Sequence, residues 1–199
     1  MVRKLIVISG PSGSGKTTLA KALSAELGIP FIESSTKPLW RAWGISSHKE
    51  IITKSQVDPA WGISFQFAVL QHRKQLVERN PQMVTDRGPI DNWVYFLMQS
   101  SHHTPNAISE RYLEECLDLH RQASCSFILE PLPTVEHDGF RVTNKYYAEM
   151  TFQLMKATAR NFVELSPYNP KTVFILSPYL PQQRLQHALD IYLTTLDNQ

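Results

Sequence analysis

Two rhythms of apolar residues alternate along the chain. Short unbroken runs, Leu5-Ile6-Val7-Ile8, Met83-Val84-Thr85, Ser126 to Leu129 and Thr172 to Leu176, have the length and continuity of strands buried on both faces. Phe31-Ile32-Glu33 reads as one further short strand. Between these runs apolar residues recur every three or four positions. Leu19, Leu23 and Leu27 place a helix over 16–27, closed by Gly28 and Pro30. Trp61, Phe65, Val69, His72 and Leu76 place another over 60–79, ended by Asn80-Pro81. The same spacing predicts helices over 89–99, 108–123, 144–165 and 181–196. Strands and helices taking turns from end to end is the pattern of an α/β domain with a mainly parallel sheet.

Composition narrows this picture without changing it. The 199 residues are 42% hydrophobic and 19% charged, enough for one core, and no repeat, linker or low-complexity tract divides them, so 1–199 reads as a single domain. No run approaches the roughly 18 to 20 apolar residues that cross a bilayer, and the short N-terminal run before Ser9 reads as a strand, not a signal peptide. Membrane partners are therefore not expected. Cys116 and Cys125 form neither a disulfide framework nor zinc-ligand spacing, which by default points to a reducing cytoplasm. Twenty Lys plus Arg against eighteen Asp plus Glu gives a net charge of +2, with the basic residues spread out. Nucleic-acid binders concentrate positive charge, so a small-molecule substrate is favoured over a polynucleotide.

Candidate chemistry begins directly after the first strand. Gly10-Pro11-Ser12-Gly13-Ser14-Gly15-Lys16-Thr17 satisfies G-x-x-x-x-G-K-[ST] between a buried strand and an amphipathic helix, the context this phosphate-binding loop requires. The glycines let backbone N–H groups converge on phosphate oxygens, and the helix N-terminus adds partial positive charge. Gly10, Ser12, Gly13, Ser14, Gly15, Lys16, Thr17 and Thr18 are thus the expected ATP-binding set. Lys16 brings a full charge to the β- and γ-phosphates, and the Thr17 hydroxyl is placed to ligate Mg²⁺. GTPases, motors, switches and kinases share this loop, so later residues must decide between them.

Beyond the loop, Phe31-Ile32-Glu33, then Trp61 with Phe65-Gln66, then Thr85-Asp86-Arg87-Gly88, then Asp138-Gly139-Phe140-Arg141 follow in an order that resembles the small P-loop kinases. That group includes deoxynucleoside kinases, thymidylate-kinase-like enzymes and the NadR-like ribosylnicotinamide kinase domains of bacterial NAD regulators. The resemblance covers most of the chain. It implies a three-layer P-loop NTPase fold with a five-stranded parallel sheet in the order 2-3-1-4-5 and a short lid over about 134–143.

The resemblance also distributes roles. Glu33 stands where deoxynucleoside kinases place the carboxylate that takes the proton of the attacking hydroxyl, although here Pro38 follows only after Ser34-Ser35-Thr36-Lys37. Asp86 would hold Mg²⁺ through water or serve as the base, and Arg87 would grip the acceptor or a phosphate. Arg141, from the lid, would neutralise charge on the transferring phosphoryl. Read from the residues alone, Gln66 and Arg73 are seven apart and share one helix face beside Phe65, where a ring and an amide suit base or nicotinamide recognition, while a solvated face with a core Phe65 is as economical. Asp91 reads as a charge at a helix N-terminus, Trp40 and Trp43 as packing residues, and His137 between Glu136 and Asp138 as no metal site.

These readings converge on ATP- and Mg²⁺-dependent phosphoryl transfer to a hydroxyl or phosphate of a nucleoside- or nucleotide-like small molecule. Two rivals stay open: a kinase acting on a hydroxyl or modified base within a polynucleotide, and a P-loop ATPase or switch working through a protein partner. A homodimer is left open as well.

Overall fold

A computed structural model describes residues 4–133, 144–166, 173–177 and 180–196. The lid segment 134–143, with Arg141, His137 and their neighbours, lies outside the described residues. The elements run β1 (Lys4–Ser9), α1 (Lys16–Leu27), α2 (Lys37–Ala42), α3 (His48–Val57), α4 (Pro59–Arg79), β2 (Gln82–Thr85), α5 (Pro89–Gln99), a short 3-10 turn, α6 (Asn106–His120), β3 (Cys125–Leu129), α7 (Lys145–Leu165), β4 (Val173–Leu176) and α8 (Pro181–Leu196). The longer helices and the central strands stand where the apolar spacing puts them. Helices α2 and α3 are additional. The signal for α3 is present in Ser47-His48-Lys49-Glu50, where the Ser47 side chain caps the Glu50 N–H at 3.3 Å.

All strand pairs are parallel and the order is β2-β1-β3-β4. Among the described residues the expected five strands are therefore four. The Phe31 segment contributes a single parallel bridge to Val84, with Val84 N–H donating to Pro30 and Ile32 N–H to Val84. Since Val84 also pairs with Ile6, the bridge lies on the outer side of β2 and keeps the expected 2-3-1-4-5 sequence of segments. It stops after one rung for a local reason. Continuing the ladder would take Asp86 N–H to the Ile32 carbonyl and then Ser34 N–H to the Asp86 carbonyl, but Ser34 N–H donates instead to the Asp86 carboxylate at 3.1 Å.

Consecutive residues of the central strands point to opposite faces, which is why an unbroken apolar run is needed. Leu5, Val7, Met83 and Ile128 pack under α4, α5, α6 and α7, with Leu70, Ile90, Tyr112 and Phe162 fully or almost fully buried. Ile6, Ile8, Val84 and Phe127 face the other way, against Leu19 and Leu23 of α1 and Ala188 and Tyr192 of α8. The result is the three-layer arrangement. A separate cluster of Ile45, Ile51, Phe65 and Val69 gathers Trp40, Trp43 and Trp61, so both expected packing tryptophans do pack. Cys116 and Cys125 are free and buried, and among the described residues no helix is long and apolar enough to cross a membrane.

Candidate active site

From β1 the chain steps to β2 on one side and to β3 on the other, so the order reverses at the carboxyl end of β1, where open α/β sheets form their ligand crevice. The glycine-rich loop occupies that end. Gly10, at φ +153°, is the point of closest approach: a Cβ there would lie 2.7 Å from Ser14 Oγ and 3.0 Å from the Leu129 carbonyl. Helix α1 then starts from Gly15 with no side-chain cap and no acidic residue in its first turn. No described side chain blocks this end of the helix, so its positive dipole end can face an anion.

Lys16 is less open than its expected role suggests. It is 6% exposed, and its Nζ donates to the carbonyls of Gly10 and Pro11 at 2.9 and 2.7 Å, across the loop that a phosphate would fill. Thr17 and Thr18 are exposed. The Thr17 hydroxyl donates to Asp86 Oδ2 at 2.5 Å, joining the start of α1 to the residue after β2. These two oxygen donors, one neutral and one anionic, suit a hard divalent cation that keeps several waters, so Mg²⁺ fits the residues present.

Asp86 is held from its other side as well. It is 8% exposed and its Oδ1 accepts from Ser34 N–H; Ser34 Oγ accepts from Arg73 Nε at 3.0 Å. Arg73 Nη1 continues to the Gly88 carbonyl at 3.2 Å and to Asn92 Oδ1. Asp91 closes the arrangement: its Oδ2 accepts from Gly88 N–H at 3.0 Å and from the Ser9 hydroxyl, at the end of β1, at 2.6 Å. The expected helix-start charge is thus also a tie between α5 and the loop strand. Ser34, Asn92 and Ser9 were missed from sequence because an isolated serine or asparagine carries no periodic signal.

The expected acceptor residues divide. Arg87 is part-exposed, 3.9 Å from Asp91 Oδ1 and 5.8 Å from the Tyr95 ring centroid. Burial works against its charge, but Tyr95 and Asp91 outweigh that and raise its pKa above the ordinary arginine value. Arg73 is only 5% exposed, and burial lowers its pKa while the Asp91 carboxylate opposes the shift. Arg73 and Arg87 line one cavity of about 10 Å³, which has room for little more than a water. Gln66 is buried and donates from Nε2 to Gln99 Oε1 at 2.7 Å. Phe65 is buried between Trp61, stacked at 5.4 Å, and the edge of Trp43. Glu33 is exposed, immediately before the Ser34 backbone that docks on Asp86. The structure therefore gathers Lys16, Thr17, Asp86 and Arg87 at one end of the sheet, while the polar groups of Gln66 and Arg73 are engaged with protein partners.

Comparison with known proteins places this architecture. The chain superposes on the NadR protein in complex with NR with a TM-score of 0.60 at 22% identity, over 96% of this chain and 50% of that one. NadR with NAD and AMP-PNP gives a TM-score of 0.61 at 20% identity, over 96% and 48%. This chain thus spans about half the length of those NadR chains. The deoxyadenosine kinase from M. mycoides with bound dCTP matches with a TM-score of 0.59 at 13% identity over 94% of this chain and 97% of that one. At such identities the likeness is one of fold, the three-layer fold of P-loop kinases. A stretch of 59 residues, 30% of this chain and 20% of the relative, is 36% identical to tRNA dimethylallyltransferase from Acaryochloris marina (strain MBIC 11017). The AAA domain family matches residues 5–167, from the first strand through α7, and on that match the chain belongs to this family.

Proposed function

We propose that this protein is a P-loop kinase that transfers the γ-phosphoryl group of ATP, with Mg²⁺, to a hydroxyl or phosphate of a nucleoside- or nucleotide-like small molecule. The observation that carries this reading is the 2.5 Å bond from Thr17 to Asp86, which joins the phosphate loop to a carboxylate at the end of the neighbouring strand. An anion-binding loop alone would not need that carboxylate; phosphoryl transfer does, because a metal must be held beside the phosphates. The fold shared with NadR and with deoxyadenosine kinase supports the same reading.

In this proposal the loop N–H groups and Lys16 bind phosphate oxygens, with Lys16 exchanging the carbonyls of Gly10 and Pro11 for them. Thr17 and Asp86 hold Mg²⁺, which when bound neutralises charge between the phosphates. Arg87 orients the acceptor. Glu33, exposed and immediately before the Ser34 that docks on Asp86, takes the proton of the attacking hydroxyl, and Asp86 is the alternative base. Arg141 is proposed as the lid donor on resemblance alone. Phe65, Gln66 and Arg73 contact an acceptor only after their present protein contacts rearrange.

Incubation with γ-labelled ATP and panels of nucleosides, nucleotides, nicotinamide riboside and oligonucleotides, followed by product separation, tests the proposal. A labelled small-molecule product supports it. Label appearing only in oligonucleotides favours the polynucleotide reading, and hydrolysis with no acceptor labelled refutes the kinase.

A further inference from the structure

Arg184 occupies the stripe of α8 that ought to be apolar. It stands four residues from Ala188 and eight from Tyr192, and all three are buried, Arg184 to 3% exposure. A guanidinium placed there loses hydration and is tolerated when its donors are used. Nη1 donates to the carbonyl of Ser14, inside the glycine-rich loop, and Nη2 to the carbonyl of Glu130, just past β3, at 3.1 Å. The planar fork thereby links the loop, the end of β3 and the first turn of α8. Arg184 also lies beyond residues 5–167, which carry the family match.

What this does to the loop follows from peptide geometry. The Ser14 carbonyl and the Gly15 N–H belong to one planar trans unit and point in opposite directions. With the carbonyl turned to Arg184, the Gly15 N–H faces away from α8. Gly15 has φ +85°, and a glycine accepts either sign of φ, so this peptide could flip at little steric cost if nothing held it. The Ser14 N–H is engaged with the Pro11 carbonyl at 3.2 Å, but that bond restrains the preceding peptide. The Ser14 hydroxyl, buried and without a hydrogen-bond partner among the described residues, does not lock it either.

We propose that Arg184 is a positioning residue of the phosphate site, locking the Ser14–Gly15 peptide so that the Gly15 N–H is presented to the triphosphate. The proposal rests on the kinase reading only for the claim that the loop binds a triphosphate; the acceptor does not enter.

Calorimetric titration of wild type, Arg184→Met and Arg184→Lys with ATP·Mg²⁺ and with inorganic tripolyphosphate tests it, alongside thermal melts. Arg184→Met should weaken both ligands by the same factor, about 10- to 100-fold, since the loss is at the loop and not at the base. Arg184→Lys keeps charge and stem, yet one ammonium does not reproduce the fork, so it should stay weaker than wild type by about fivefold or more. Should Arg184→Met fail to fold, Arg184→Lys carries the same decision. A purely structural arginine would lower the melting temperature and leave tripolyphosphate affinity unchanged well below the transition, and that result overturns the proposal. Weaker ATP binding with unchanged tripolyphosphate binding overturns it too. Failure of the kinase reading would look different: normal binding by wild type, weakened binding by Arg184→Met, and no acceptor phosphorylated.

Discussion

Gly88 offers the sharpest quantitative test of how the site is built. Its φ of −153° is ordinary extended backbone, so any residue could adopt it. Space is what forbids a side chain. A Cβ on Gly88 would lie 2.2 Å from Val7 Cγ1, while Val7 Cβ and Cγ2 would be at 3.4 and 3.5 Å, ordinary contacts. The shortfall from contact distance, about 1.2 Å, is too large for small adjustments in a close-packed core. Gly88→Ala should therefore cost about 1–3 kcal/mol, the usual range for overpacking. Val7→Ala should cost about 2–3 kcal/mol from two lost methyl groups and the cavity they leave. Only Cγ1 makes the clash, so the double variant should be about as stable as Val7→Ala alone, a favourable coupling of about 1–3 kcal/mol. Urea denaturation of the four proteins measures it. Turnover should follow, because Gly88 lies two residues beyond Asp86 and its backbone is bonded to both Arg73 and Asp91: Gly88→Ala should lose kcat and the double variant regain part of it. Strictly additive free energies would refute the steric argument.

Lys16→Ala should lower phosphoryl transfer by about 100-fold or more while leaving the melting temperature within a few degrees; near-normal turnover would remove the loop from the chemistry. For Asp86→Asn, kcat should fall by about 100-fold with metal-free ATP binding largely retained, and equal losses of binding with and without Mg²⁺ would reassign Asp86 to structure. His120 is fully buried, with neither ring nitrogen hydrogen-bonded among the described residues, and edge-on to Phe162 at 5.3 Å; burial, and then Arg121, lower its pKa from 6.5 to about 4. The neutral ring is favoured in the fold, so this contribution is complete above pH 6.5 and is lost as pH falls toward 4, about 3 kcal/mol in all. Stability of His120→Leu should be flatter than wild type across that window, and an unchanged slope would refute the assignment.

Much of this protein is legible in its sequence because the signals are local. An apolar run long enough to be buried on both faces, or a repeat every three or four residues, is a property of one segment; β1, α1, α4, β2, α5 and α8 fall where those patterns put them. The phosphate loop is legible for the same reason, its glycines, Lys16 and Thr17 being contiguous. Asp86 could be placed at a strand end by periodicity and resemblance together.

Other features depended on groups distant in sequence meeting in space. Phe31-Ile32-Glu33 adds a single bridge to the sheet, and just beyond it Ser34 N–H donates to the side chain of Asp86, 52 residues away, where a continued ladder would use the Asp86 carbonyl. Arg73 was legible as a polar residue on a helix face, but only packing showed that Ser34, Gly88 and Asn92 take up its donors and leave it 5% exposed. Arg184 left a faint trace, an arginine on the buried stripe of an amphipathic helix. Its partner, the Ser14 carbonyl, is 170 residues earlier and belongs to the backbone, which every residue carries alike. A hydrogen bond to a distant carbonyl leaves no mark in the identity of the residue that accepts it, so the tertiary structure alone could supply it.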